Sequence, residues 1–140
     1  LEKLSGVSPA CDTVAMLEPT RTRRSVGDEA EALVVEHYER SGWRVRDRNV
    51  LSRRGEVDIV AERHHQLAFV EVRMRATDLW GDPSLTVGRS KQRKVILAAL
   101  QYLQRHRLME RAIQFDVASV VGRGRAGRVE IIPDAFEAGF

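Results

Sequence analysis

The sequence predicts an α/β domain in which helices and strands follow one another along a single chain. Three observations predict it. Residues 28–41 and 89–105 repeat apolar side chains at helical spacing. Residues 56–61 and 68–75 alternate apolar and polar positions with period two. The length of 140 residues suits one domain and leaves little room for a second. A chain of that size buries enough surface to fold without a staple. Its one cysteine, Cys11, excludes a disulfide framework and a cysteine-rich zinc site.

Residues 1–20 show no sustained period, contain Pro9 and Pro19, and read as a mobile arm ahead of a single domain over 21–140. The first helix, 28–41, sets Ala30, Leu33, Val34 and Tyr38 on one stripe. Asp28 fits its N-cap, Glu31 three residues later completes a capping box, and Gly42 fits a left-handed C-terminal cap. Trp43, Val45 and Asp47 begin a strand whose other face carries Arg44 and Arg46. Val57, Ile59 and Ala61 then alternate with Glu56 and Asp58, while Ala68, Val70 and Val72 alternate with Glu71, Arg73 and Arg75. Each pattern means a strand with one core face and one polar face. The short link at His64-His65 predicts an antiparallel hairpin, although it lacks the Asn-Gly signature of a tight turn, and a longer loop also fits. Centring the turn between the two histidines sets Asp58 opposite Glu71 and Glu56 opposite Arg73, all on one face. Residues 78–88 read as loop around Trp80-Gly81. The second helix, 89–105, puts Val95, Ala98, Ala99 and Tyr102 on its stripe. Residues 113–121 offer Ile113, Phe115, Val117 and Val121 to the core, and a Gly-rich turn leads to a short strand at 128–132.

No apolar run approaches the ~20 residues that span a bilayer, and no apolar signal core is evident near Leu1. A soluble, cytoplasmic setting without membrane contact is therefore expected. The net charge of +3 conceals a pattern: residues 55–88 sum to −3, whereas 21–54 sum to +3 and 89–111 to +6. Twenty of the 23 cations are arginine, which binds phosphate bidentately, so the basic flanks suit a polyanion. Arg44, Arg46, Arg53, Arg54, Arg75, Arg89, Lys91 and Lys94 are the candidate nucleic-acid contacts. Arg89, Lys91, Arg93 and Lys94 crowd the start of a helix, which is unfavourable for the helix dipole unless an anion lies there.

Two acids facing each other across adjacent strands repel unless a divalent cation sits between them. Mg²⁺ or Mn²⁺ held by Asp58 and Glu71 would acidify a bound water and offset charge on a phosphate. Arg73 is placed to neutralise charge developing on that phosphate. Glu31 is placed to orient a water from the first helix, with the capping box as its competing role. Glu56 paired with Arg73, and Asp58 and Glu71 on a solvated strand face, are the plain alternatives.

In order and spacing, Glu31, then Gly55-Glu56-Val57-Asp58, then Phe69-Val70-Glu71-Val72-Arg73 resembles the PD-(D/E)XK nuclease superfamily. More closely it resembles the YraN-type family of uncharacterised bacterial proteins. The resemblance covers residues 27–136, through Gly27-x-x-Ala30-Glu31, Gly42-Trp43, Arg48-Asn49, Gly81, Lys91, Phe115-Asp116-Val117 and Asp134-Ala135-Phe136. It implies a restriction endonuclease-like mixed central β-sheet flanked by helices in α-β-β-β-α-β order. It also implies phosphodiester hydrolysis on DNA, with branched or structured DNA as a candidate substrate. Glu31, Asp58 and Glu71 become the acidic catalytic residues, and a homodimer is implied by likeness to junction-cleaving enzymes. One position departs from the pattern: Arg73 stands where the superfamily has lysine, and arginine stays protonated and cannot act as a general base. Arg73 is then either an electrostatic clamp or the mark of a catalytically inactive nucleic-acid-binding or scaffold protein. Lys91 or Lys94, from the second helix, could supply the missing amine.

Overall fold

The computed structural model describes residues 23–75, 87–122 and 126–139. The expected arm at 1–20 and the loop around Trp80 lie outside them. Among these residues the elements follow in the order α1 (Arg23–Arg40), β1 (Arg44–Leu51), β2 (Glu56–Arg63), β3 (Gln66–Arg75), α2 (Arg89–Arg105), β4 (Ala112–Val121) and β5 (Arg128–Phe136). The strands form one sheet in the order β1-β2-β3-β4-β5. Among the described strands only β3 and β4 run parallel, and α2 is part of the long crossover that a parallel pair requires. The expected mixed sheet flanked by helices, with α-β-β-β-α-β order and a further closing strand, is thus what the chain forms.

Helices cover both faces of the sheet. Ala30, Val34 and Tyr38 of α1 pack with Ile59, Ala61, Ala68 and Val70 on one face. Val95, Ala98, Ala99 and Tyr102 of α2 pack with Val60, Phe69 and Phe115 on the other. The central strands are therefore apolar on both sides, with Val57, Ile59, Val60, Ala61 and Leu67 to Val70 all buried. This corrects the expectation of one polar face per strand: in β2 and β3, Asp58, Glu71 and Arg73 keep polar positions past the point where the two strands pair.

The helix α1 starts at Arg23, ahead of the expected cap at Asp28, so Glu31 lies in the helix body and completes no capping box. A cap contributes about 1 kcal/mol, and an established helix propagates past it at little cost per residue. Its C-terminus is as expected. Gly42 takes φ +92°, its N–H donates to the Glu39 carbonyl at 3.1 Å, and Trp43 N–H donates to Tyr38 O at 3.0 Å. The Tyr38 and Trp43 rings close this motif edge to face, centroids 5.8 Å apart.

The hairpin register is the one the turn arithmetic gives. Ile59 pairs with Val70, Ala61 with Ala68 and Arg63 with Gln66 across the His64-His65 turn. The turn is tight despite lacking Asn-Gly, because His64 itself adopts φ +57°. The last strand, β5, reaches Phe136 rather than stopping at 132, with a register shift opposite Phe115/Val117. That irregularity seats Asp116, which is 1% exposed. One carboxylate oxygen accepts from Tyr38 Oη at 2.6 Å, and the other accepts from Gln114 Nε2 and Asp134 N–H, both at 2.9 Å. A single carboxylate thereby ties α1, β4 and β5 together. Tyr38→Phe leaves part of that buried acceptor unsatisfied, so a loss of about 1–3 kcal/mol is expected in urea denaturation.

Candidate metal and phosphate site

Four elements bring the candidate site together, and the sheet itself opens to admit it. The β2–β3 pairs run no further than Ile59 with Val70, whereas β2 continues on its other side, where Val57 and Glu56 pair with Val50 and Leu51 of β1. Asp58 and Glu71 lie one step past the last β2–β3 pair. Asp58 Oδ2 accepts the Val72 N–H at 2.8 Å, so its side chain replaces the missing strand partner. Repulsion between the facing acids gives a physical reason for the ladder to end there.

Glu71 is 4% exposed. Burial, then the Asp58 charge, push its carboxyl up to about 7. Burial also raises Asp58, which is held down in part by its Val72 hydrogen bond and by Lys91. Two cations close on the pair: Arg73 Nη1 and Lys91 Nζ each lie 3.7 Å from Glu71 Oε2. Lys91 also lies 4.0 Å from Glu56 Oε1. The expected Glu56–Arg73 facing pair is not formed among the described contacts, since β2 and β3 have parted before reaching it. Of the crowded cations at the start of α2, it is Lys91, not Lys94, that reaches the acids.

Glu31 approaches from α1. Burial and repulsion from Asp58 raise its pKa, while Asn49 and Arg48 act in the opposite direction, with Arg48 Nη2 at 3.8 Å. Among the described residues, no three His, Cys, Asp or Glu side chains converge into a complete metal cage. Asp58 and Glu71 nevertheless fit a divalent cation. Mg²⁺ commonly takes one or two carboxylates and keeps several waters, and Glu71 Oε1 is buried without a hydrogen-bond partner.

The other expected phosphate contacts disperse. Arg44 and Arg46 are bound to Glu62 at the hairpin-turn end of β2, at 2.5 and 3.2 Å, and Arg111 joins them at 2.5 Å. β1 carries them to the end of the strand away from the acid pair. Arg53 and Arg54 lie exposed on the β1–β2 turn and border a groove of about 220 Å³ against Leu97, Leu100 and Gln101 of α2. Arg75 pairs with Glu130 at 3.7 Å, and Arg89 and Lys94 are exposed on α2.

The three arginines lower Glu62 from an ordinary 4.5 to about 2, the Arg111 hydrogen bond acting most strongly. A lowered carboxylate contributes stability that is complete above its unfolded pKa and lost as pH falls through the folded one. The melting temperature should therefore decline between about pH 4.5 and pH 2, and Glu62→Gln should flatten that decline.

Ser119 is a residue that sequence reasoning missed. It pairs with Arg73 across the parallel β3–β4 ladder, and its hydroxyl is buried without a partner. The signal was present: Ser119 interrupts the apolar series Ile113, Phe115, Val117, Val121. Removing an unsatisfied buried hydroxyl removes a desolvation cost, so Ser119→Ala should keep or raise the melting temperature.

Comparison with known proteins matches most of the chain to one family. Residues 30–120 match the model described as "Uncharacterised protein family UPF0102". A UPF0102 protein of Myxococcus xanthus is 55% identical over 117 residues, covering 84% of this chain and 93% of that relative. Relatives bearing the same description occur in Anaeromyxobacter dehalogenans, 43% identical over 82% of this chain and 86% of the relative, and in Geobacter metallireducens, 38% identical over 84% and 96%.

Proposed function

This chain belongs to the uncharacterised protein family UPF0102, and from that premise we propose that it is a metal-dependent, nuclease-like protein that hydrolyses phosphodiesters in DNA. The observation that carries the reading is the Asp58–Glu71 pair, set side by side where the strands part and flanked by Arg73 and Lys91. Repelling buried acids destabilise a fold, and retaining them suits a site that binds a cation. Mg²⁺ or Mn²⁺ held by Asp58 and Glu71 would supply an acidified water and charge neutralisation on the phosphate.

The chain's own residues do the rest. Attack on phosphorus builds charge on the non-bridging oxygens. Arg73 stays protonated and offers its planar fork to that charge. Lys91 brings an ammonium group from α2, in the role that the PD-(D/E)XK pattern gives to lysine at the position of Arg73. Glu31, held in the body of α1, orients water from the other side. No helix among the described residues is long and apolar enough to cross a membrane. A cytoplasmic location, a DNA partner and a homodimer belong to the same proposal.

Arg73 supports a second reading, a catalytically inactive nucleic-acid-binding or scaffold protein. Incubation with single-stranded, duplex and branched DNA, in Mg²⁺ or Mn²⁺ against EDTA, separates the two. Metal-dependent cleavage lost in Asp58→Ala supports the nuclease. Cleavage that survives Asp58→Ala comes from a contaminant and overturns the site. Binding without cleavage, with no gain on Arg73→Lys, establishes the inactive reading.

A further inference from the structure

The hairpin-turn end of the sheet carries a constellation that the acid pair does not use. Gln66 and Glu71 are five residues apart on β3, roughly 17 Å of strand. A cavity of about 520 Å³ opens at the Gln66 end, lined by Arg63, His64, His65, Gln66, Glu110 and Arg111. Its guanidinium groups are held rather than loose. Arg63 lies over the Trp43 ring, 4.4 Å from the centroid, and donates to the Ser41 carbonyl at 3.2 Å. Arg111 meets Glu62, which Arg44 and Arg46, outside the lining, also bind. Arg46 is fixed further by Tyr102 Oη at 3.1 Å, and that hydroxyl donates to Asp47 at 2.6 Å.

Two arginines, Arg63 and Arg111, line the cavity against one lining carboxylate, Glu110, so one positive charge stands in excess beside His64 and His65. Three guanidinium groups on one carboxylate also repel one another, and Glu62 offsets only part of that repulsion. The array is well formed as an anion receptor. Its donors are pre-positioned, the cavity admits a tetrahedral oxyanion, and each guanidinium presents five N–H groups, more than its recorded protein partners accept.

We propose that this cavity is a phosphate-binding site and that its phosphate belongs to a nucleic acid held at the same time by the acid pair. The inference rests on the nuclease-like reading above. The separation of roughly 17 Å corresponds to about five steps along a DNA strand at 3.4 Å each. A nucleic acid long enough to reach both ends gains affinity that a short fragment lacks.

Fluorescence anisotropy in Ca²⁺, a hard cation that carboxylates bind and a poor substitute for Mg²⁺ in phosphodiester cleavage, tests this on a duplex of about 20 base pairs titrated with salt. His65→Glu puts a negative charge at the exposed turn, and Arg63→Gln removes one guanidinium. Both variants should weaken duplex binding about five- to tenfold. They should also make the log–log salt slope shallower by about one phosphate each. Melting temperatures of both variants, measured in parallel, exclude misfolding, and His65→Glu alone decides the matter if Arg63→Gln unfolds. Inorganic phosphate is the second arm. If it raises the melting temperature of the wild type but not of His65→Glu, while the duplex slope is unchanged, the cavity takes free phosphate and the nucleic-acid assignment is overturned. Unchanged slopes with no phosphate effect overturn the site altogether. A wild type that fails to bind duplex at low salt defeats the nuclease-like reading as well, whereas wild-type binding with unchanged slopes in the variants defeats this inference alone.

Discussion

Asp58→Asn is expected to lower metal-dependent cleavage by about 10²- to 10³-fold, equivalent to about 3–4 kcal/mol of barrier, while leaving the fold at least as stable at pH 7. The amide keeps an oxygen to accept the Val72 N–H but loses the charge that repels Glu71. The two effects have opposite signs because the pair is costly as structure and useful only with a cation. The pH dependence follows the same logic. Glu71 is raised to about 7 by burial and by Asp58. A raised carboxyl gives stability that is present below its ordinary value and lost as pH rises through the folded one. The wild type should therefore lose stability between about pH 4.5 and pH 7, and Asp58→Asn should lessen that loss. Equilibrium denaturation across this range, beside single-turnover cleavage, measures both. A variant that is less stable and fully active would reject the site.

Gly55→Ala is expected to cost on the order of 3 kcal/mol or more in global stability. A Cβ at this position would sit 2.1 Å from the Lys94 carbonyl oxygen and 2.7 Å from its carbon. Both are backbone atoms of α2, so no side-chain rotation relieves the overlap. Either the β1–β2 turn or the helix must move. The turn is pinned by Ser52, whose N–H donates to Gly55 O at 2.8 Å. Movement of α2 would also displace Lys91 from Glu71. Gly55→Ala should therefore lower urea resistance and, in whatever fraction folds, cleavage as well. A melting temperature within a degree or two of the wild type would show that the contact relaxes freely.

Much of this site could be read before any tertiary structure. The Asp58–Glu71 juxtaposition follows from period-two alternation and a turn centred at His64-His65, because a one-residue slip would exchange the buried and polar faces. Glu31 emerged from the motif order, but its role as capping partner did not hold, since the start of a helix depends on weak local preferences that propagation overrides. The parting of β2 from β3 was not legible. It depends on β2 gaining a partner in β1 at the same residues where it loses β3. Lys91 was one of several cations at the start of a helix, and only the packing of α2 over the sheet selects it over Lys94. Glu62 looked like any acid in a strand, because its arginine partners lie 16, 18 and 49 residues away in sequence.

By itself the sequence determined the element types, the hairpin register, the apolar stripe of each helix and the identity of the acidic pair. These are properties of local periodicity, in which each residue's face is fixed by its neighbours one to four positions away. The tertiary structure alone decided which cation meets which acid. It set Lys91 and Arg73 on Glu71, and Arg44, Arg46 and Arg111 on Glu62. Charge pairing depends on distances of a few ångströms between elements far apart in the chain, and those distances are set by how helices and strands pack, to which sequence periodicity is blind.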